Sequence, residues 1–253
     1  MIIELVGPPG VGKTTLARAL ATRLQERGQA ADAVLSFRPN ERSNAANGDR
    51  GLVKIWASLH RLLRPIWEIA AISSASSKEE RQIARTLVKM LPPITPLAAF
   101  RMRQYIMRMA WAWQAAVTSA KITVFDQAFV QAIYSLATVA RRADTDMLDR
   151  ALASVPQPDL IVRLNAPHGI LASRLTERRR HQGMLERLLE VDPVINLAST
   201  SIFERLDGIM RARGFPVIWL DSSDDSPVET ALGLLERVIT SRSAKARMAS
   251  VLH

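Results

Sequence analysis

Nine residues near the N-terminus carry the clearest chemistry in this chain: Gly7-Pro8-Pro9-Gly10-Val11-Gly12-Lys13-Thr14-Thr15. They fit the pattern Gly-x-x-x-x-Gly-Lys-Ser/Thr in full, behind the apolar run Met1 to Val6 and ahead of a helical pattern. Glycines let the backbone curl until successive N–H groups point at phosphate oxygens, and the following helix turns its positive end to the same anion. Lys13 is then expected to reach the β- and γ-phosphates of a bound nucleoside triphosphate, and the Thr14 hydroxyl to hold Mg²⁺. A Gly/Pro turn with a chance lysine explains neither the strand before nor the helix after. ATP and Mg²⁺ are the expected cofactors, but the motif does not say what the triphosphate is used for.

Other residues could complete such a site. Lys121 to Phe125 reads as an apolar strand closing on Asp126-Gln127. A carboxylate on a strand beside a phosphate loop binds Mg²⁺ directly or through water; capping of the next helix is its alternative role. Ala31 to Phe37 reads as a second parallel strand, stopped by Pro39, so Arg38 falls beyond a carboxyl end, where ligands of doubly wound sheets sit. It either faces an acceptor or is a solvated loop arginine. Arg101, Tyr105 and Arg108 stand at i, i+4 and i+7 of a helix, offering two guanidiniums and a ring to an anionic or ring-bearing acceptor. The competing reading is a solvated arginine face backed by core tryptophans, Trp111 and Trp113. Arg174, Arg178, Arg179 and Arg180 end a helix begun at Pro167 and are placed to fold over bound phosphates, unless they are a solvated charge run. His60, His168, His181 and His253 lie too far apart for a paired-histidine metal motif.

The elements that must position these groups follow from periodicity and breakers. Helices are expected over Thr14 to Gln25, Leu52 to Ile72, Lys78 to Leu91, Leu97 to Ala120, from Val130 to Arg142, over Thr145 to Ala153, Ser201 to Arg213 and Pro227 to Thr240. Further strands are expected over Asp159 to Asn165 and Phe215 to Leu220, with Asp221 to Asp224 a turn. With 253 residues and 48% hydrophobic content the chain suits one α/β domain, 1–253, carrying a helical insertion at 45–120 on the acceptor side and a lid region at 174–200. Formal net charge is +10, and seven of those charges fall between Glu41 and Ala120. That balance suits a phosphorylated substrate, nucleic acid or an anionic surface. Trp56 and Trp67, among Lys54, Arg61 and Arg64, could lie on a membrane surface or be buried against the body of the protein. With no cysteine, thiolate catalysis and cysteine-ligated metals are excluded. The absence of a leader-like or spanning stretch leads us to expect a cytoplasmic protein.

Taken in order, these features resemble the nucleoside and nucleotide kinases, with thymidylate kinase closest. The resemblance rests on Gly7 to Thr15, Val34 to Pro39, Val124 to Gln127, Asp159 to Arg180 and Ile202 to Ser223. It implies a three-layer P-loop NTPase fold with a five-stranded parallel sheet, a long helical insertion and an Arg-rich lid. It also implies that Arg38 faces the acceptor, that Arg174, Arg178 and Arg180 form the lid, and that Ser222-Ser223 lies near the nucleotide base. Two positions depart from the family. Its Asp-Arg pair reads Asp126-Gln127 here, which puts Gln127 on the acceptor side in place of an arginine. The glutamate usual beside the proline after strand two is absent.

The leading expectation is an ATP- and Mg²⁺-dependent phosphotransferase acting on a nucleotide-like or other small, anionic acceptor, as a homodimer. Lys13, Asp126, Arg174 and Arg178 are its catalytic candidates, and Asp126 could accept a hydroxyl proton. The alternative is an AAA-like ATPase or nucleic-acid-linked switch, whose loop wording is similar. Against it, Asp126 lies 113 residues beyond Lys13 and precedes a glutamine rather than an acid. A non-catalytic binding protein is the third reading.

Overall fold

A computed structural model describes residues 1–35, 78–167, 169–171, 173–174, 176, 195–221 and 227–251, with the side chains of 195–199, 227–228 and 243–251 left aside. Arg38, Arg178, Arg180, Ser222, the helix expected over 52–72 and most of the lid region lie outside the described residues.

β1 (Ile2–Val6) is buried along its whole length and leads through the glycine-rich loop into α1 (Lys13–Glu26). β2 (Ala31–Val34) follows, then α2 (Lys78–Met90), α3 (Pro96–Val117) and β3 (Ile122–Phe125). The rest of the chain supplies α4 (Phe129–Val139), α5 (Thr145–Ala153), β4 (Leu160–Asn165), α6 (Ile195–Ala212), β5 (Val217–Asp221) and α7 (Pro227–Val251). The five strands are parallel in the order β2-β3-β1-β4-β5. The crossover after β1 runs to one side, to β2, and the one after β3 passes β1 to reach β4 on the other, so the loop after β1 sits at a switch point between the ends of β3 and β4.

Alternation along the strands sorts side chains between two apolar layers. Ile3, Leu5, Val124 and Val162 meet Leu16, Leu20 and Leu24 of α1 and Leu232, Leu235 and Ile239 of α7. Ile2, Val6, Phe125 and Ile161 meet α3, α4, α5 and α6 on the other face. Glu4 shares the parity of Ile2 and Val6, so the pleat carries its carboxylate towards that second layer. There Trp113 is buried, its ring centroid 5.6 Å from Phe125 and 5.2 Å from Phe129, as a core tryptophan should be. Trp111, two residues earlier, is exposed.

Several boundaries differ from those read in the sequence. β2 ends at Val34, before Leu35, where its ladder partner β3 also ends, in the pair Val34 and Phe125; Ser36 and Phe37 of the expected strand lie outside the described residues. α3 is capped by Thr95, whose side chain accepts from the Ala98 N–H at 3.1 Å, and ends at Val117 rather than Ala120. α6 starts six residues earlier than Ser201. α7 does not end at Thr240 but runs on to Val251, and Arg242 donates to the Asp159 carbonyl at 2.9 Å. No Gly or Pro interrupts Ser241 to Val251, and Ala, Lys, Arg and Met favour helix there. Among the described residues no helix is long and apolar enough to cross a membrane.

Leu20 is fully buried between α1 and the sheet. Leu20→Ala should lower stability by about 2–5 kcal/mol in urea unfolding, while Trp111→Ala should change it by less than about 1 kcal/mol.

Candidate active site

The loop after β1 is shaped by close approach as much as by backbone freedom. A Cβ on Gly7 would lie 2.6 Å from the Leu164 carbonyl oxygen of β4, so no side chain fits there. Gly10 and Gly12 have φ of 83° and 96°, in the left-handed region that favours glycine. Pro8 and Pro9 bring no N–H, so the donors of the cradle begin at Gly10. Gly12 is the N-cap of α1 with no side-chain cap bond, and no acid occupies the first turn. The positive end of α1 thus opens onto the loop with no side chain of its own capping it, the geometry in which helix N-termini take anions.

Lys13 is buried, and its Nζ donates to the Gly7 carbonyl at 2.6 Å and the Pro8 carbonyl at 3.1 Å. The ammonium thus lies folded back on the loop, where a triphosphate would compete for it. Thr14 Oγ1 donates to Asp126 Oδ2 at 2.7 Å. Asp126 is fully buried at the end of β3, with its backbone N–H on the Val34 carbonyl at 3.1 Å. A hydroxyl and a carboxylate oxygen in contact beside a phosphate cradle are the hard-oxygen donors that Mg²⁺ takes. The two metal candidates, distant in sequence, are therefore neighbours.

Of the acceptor candidates, Tyr105 is placed next to Gln127: its hydroxyl donates to Gln127 Oε1 at 2.9 Å. Burial, then the charges of Glu4 and Asp126, push the Tyr105 hydroxyl far above its ordinary range, partly offset by Arg108. It stays a neutral donor. Arg108 is exposed yet near enough to act on Tyr105, whereas Arg101 is exposed at the start of the same helix. Arg174 lies in a helical turn after β4.

Two residues that the sequence reading missed stand between these groups. Glu4 is fully buried, and its Oε1 accepts from Gln131 N at 2.8 Å and Ala128 N at 3.2 Å while Oε2 accepts from Val130 N at 3.2 Å. The carboxylate caps α4, whose own N-cap, Ala128, has no side chain to do so. Burial outweighs these three N–H bonds and raises the Glu4 pKa to about 7. Gln131, also buried, takes the Gly7 N–H on its Oε1 at 3.0 Å. The signal available for Glu4 was a lone acid inside the apolar run Met1 to Val6; Gln131 had none, since a glutamine inside a helical stretch reads as surface.

The ATPase family associated with various cellular activities (AAA) matches residues 3–99, well under half of the chain. No curated protein sequence matches. Among solved structures, deoxyadenosine kinase from M. mycoides with the products dCMP and a flexible dCDP is similar with a TM-score of 0.50 at 13% identity, covering 95% of this chain and 99% of that one. The same kinase with bound dATP gives 0.45 at 16%, covering 95% and 100%. The chain thus has a P-loop α/β fold like that of a nucleoside kinase.

Glu4 carries a pH signature. Its folded pKa of about 7 exceeds the ordinary 4.5, so the native state holds its proton where the unfolded chain has lost it. Stability from this group is highest below pH 4.5, falls by up to about 1.4 kcal/mol per unit as pH rises, and levels off above pH 7. Thermal melting of wild type relative to Glu4→Gln should show that decline, and a constant difference from pH 4.5 to 7 would refute it.

Proposed function

We propose that the protein transfers the γ-phosphate of ATP to a nucleoside- or nucleotide-like acceptor held beside Gln127 and Tyr105. The observation that carries this reading is the adjacency of two different pairs at the end of β3. Asp126 meets Thr14 of the phosphate loop at 2.7 Å, and the next residue, Gln127, meets Tyr105 of α3 at 2.9 Å. On this reading one β-strand end joins a donor side to an acceptor side, which transfer between two bound molecules requires.

Thr14 and Asp126 would hold Mg²⁺, which when bound neutralises charge on the phosphates. The chain's own residues do the remaining work. N–H groups from Gly10 onward cradle the anion, and Lys13 leaves the Gly7 and Pro8 carbonyls to meet it. Arg174, with Arg178 and Arg180, would neutralise the transferred group and exclude water, and Ser222 would lie near the base. Tyr105, a neutral hydroxyl, and the Gln127 amide suit a polar, uncharged part of an acceptor such as a sugar or base edge; Arg108, Arg101 and Arg38 suit its phosphate. Asp126 could accept a proton from a hydroxyl acceptor. That the structurally similar M. mycoides kinase holds dCMP and dCDP supports an acceptor of nucleotide class.

The AAA match over residues 3–99 favours a second reading, an ATPase that couples hydrolysis to a macromolecule. The residue after Asp126 argues against it: Gln127 has no carboxylate to prime a water, and it is engaged by Tyr105.

Phosphorus NMR of ATP incubated with nucleosides, nucleoside monophosphates and sugars separates the two. Transfer predicts ADP only when an acceptor is present; steady acceptor-independent hydrolysis stimulated by nucleic acid would replace it with the second reading. Lys13→Ala should reduce transfer on the order of 10²–10³-fold with little change in melting temperature. Tyr105→Phe should raise the acceptor KM several-fold and leave the ATP KM within about twofold.

A further inference from the structure

We infer that Gln131 is a positioning residue of the donor loop, holding Gly7 so that the loop carbonyls and N–H groups present one geometry to the triphosphate. This rests on reading Gly7 to Thr15 as a triphosphate cradle and adds a residue that the loop motif does not contain. Gly7 is held on three sides. Its α-carbon faces the Leu164 carbonyl with no room for a side chain, its carbonyl accepts from Lys13 Nζ at 2.6 Å, and its N–H donates to Gln131 Oε1 at 3.0 Å. The first two hold Gly7 to β4 and to the loop itself; the third comes from α4, the helix that follows Asp126 and Gln127.

Gln131 can do this because its own place is fixed. Its backbone N–H donates to Glu4 Oε1 at 2.8 Å, the same oxygen that takes the Ala128 N–H, and Gln131 is 4% exposed. Glu4 in turn lies on β1, separated from Gly7 by Leu5 and Val6. A closed circuit results: β1 to Glu4, Glu4 to α4, Gln131 back to Gly7. Without the Gln131 oxygen the buried Gly7 N–H would lose its acceptor, and the pivot of the loop would move to satisfy it. A residue that only packed would affect stability alone; a positioning residue changes how the folded loop binds.

Gln131→Met keeps length and burial but removes the acceptor, and Gln131→Glu keeps an oxygen for the Gly7 N–H. Two readouts are taken on folded, nucleotide-free protein and in titration with mant-ATP: exchange of the Gly7 amide by NMR, and the mant-ATP Kd. The expected result for Gln131→Met is Gly7 exchange at least tenfold faster and a mant-ATP Kd about tenfold weaker, with protection of Gly7 restored in Gln131→Glu. Should the methionine variant not fold, Gln131→Asn, one methylene too short to reach Gly7, replaces it with the same expectations. Unchanged Gly7 exchange, or a Kd within twofold of wild type beside a lowered melting temperature, overturns the inference. If wild type bound no mant-ATP, the proposed function would fall, and the Gly7 exchange comparison would still decide whether Gln131 holds the loop.

Discussion

A fully buried carboxylate on the central strand holds the centre of this structure. Glu4 sits on β1 where an apolar residue would be expected, and burial there disfavours its charge enough to bring its pKa to about 7. What offsets that cost is geometry: three backbone N–H groups at the start of α4, none of which has a side-chain cap of its own, converge on the two oxygens. The helix start is thereby pinned to the central strand. Because Asp126 and Gln127 immediately precede it, the same contact sets where the end of β3 turns, and so where the two side chains with the strongest claim to chemistry are delivered.

The two contacts at the end of β3 differ in character. Towards the phosphate loop, Lys13 is kept within the protein by two carbonyls and Asp126 by the Thr14 hydroxyl and its neighbours. Towards α3 the contact is a phenol on an amide, Tyr105 on Gln127, with arginines at the exposed surface of that helix. Adjacent residues at one strand end therefore face two different elements.

The likeness to a nucleoside kinase spans nearly all of both chains at 13% identity, so what is shared is the arrangement of strands and helices rather than side chains. The AAA match, by contrast, covers residues 3–99, beginning with β1 and the glycine-rich loop. The two comparisons are compatible, because a phosphate loop between a strand and a helix is common to both kinds of protein. The end of β3, with Asp126 and Gln127, lies beyond the matched stretch.

Local chemistry was enough to determine the phosphate loop, the helix after it, the strand closing on Asp126 and the helix Thr145 to Ala153, because each depends on residues close together in the chain: glycines that permit left-handed backbone, a lysine and threonine at set spacing, an apolar run, a helical period. The five parallel strands also follow from apolar runs between helical segments. Only the tertiary structure decided the strand order, the stop of β2 against the end of β3, and the length of α7, since these depend on what lies alongside. It alone revealed Glu4 and Gln131, whose roles come from bonds spanning 124 to 127 residues. A side chain's burial and its distant partners are not written in its neighbours, and for these two groups burial and partners are what distinguish them.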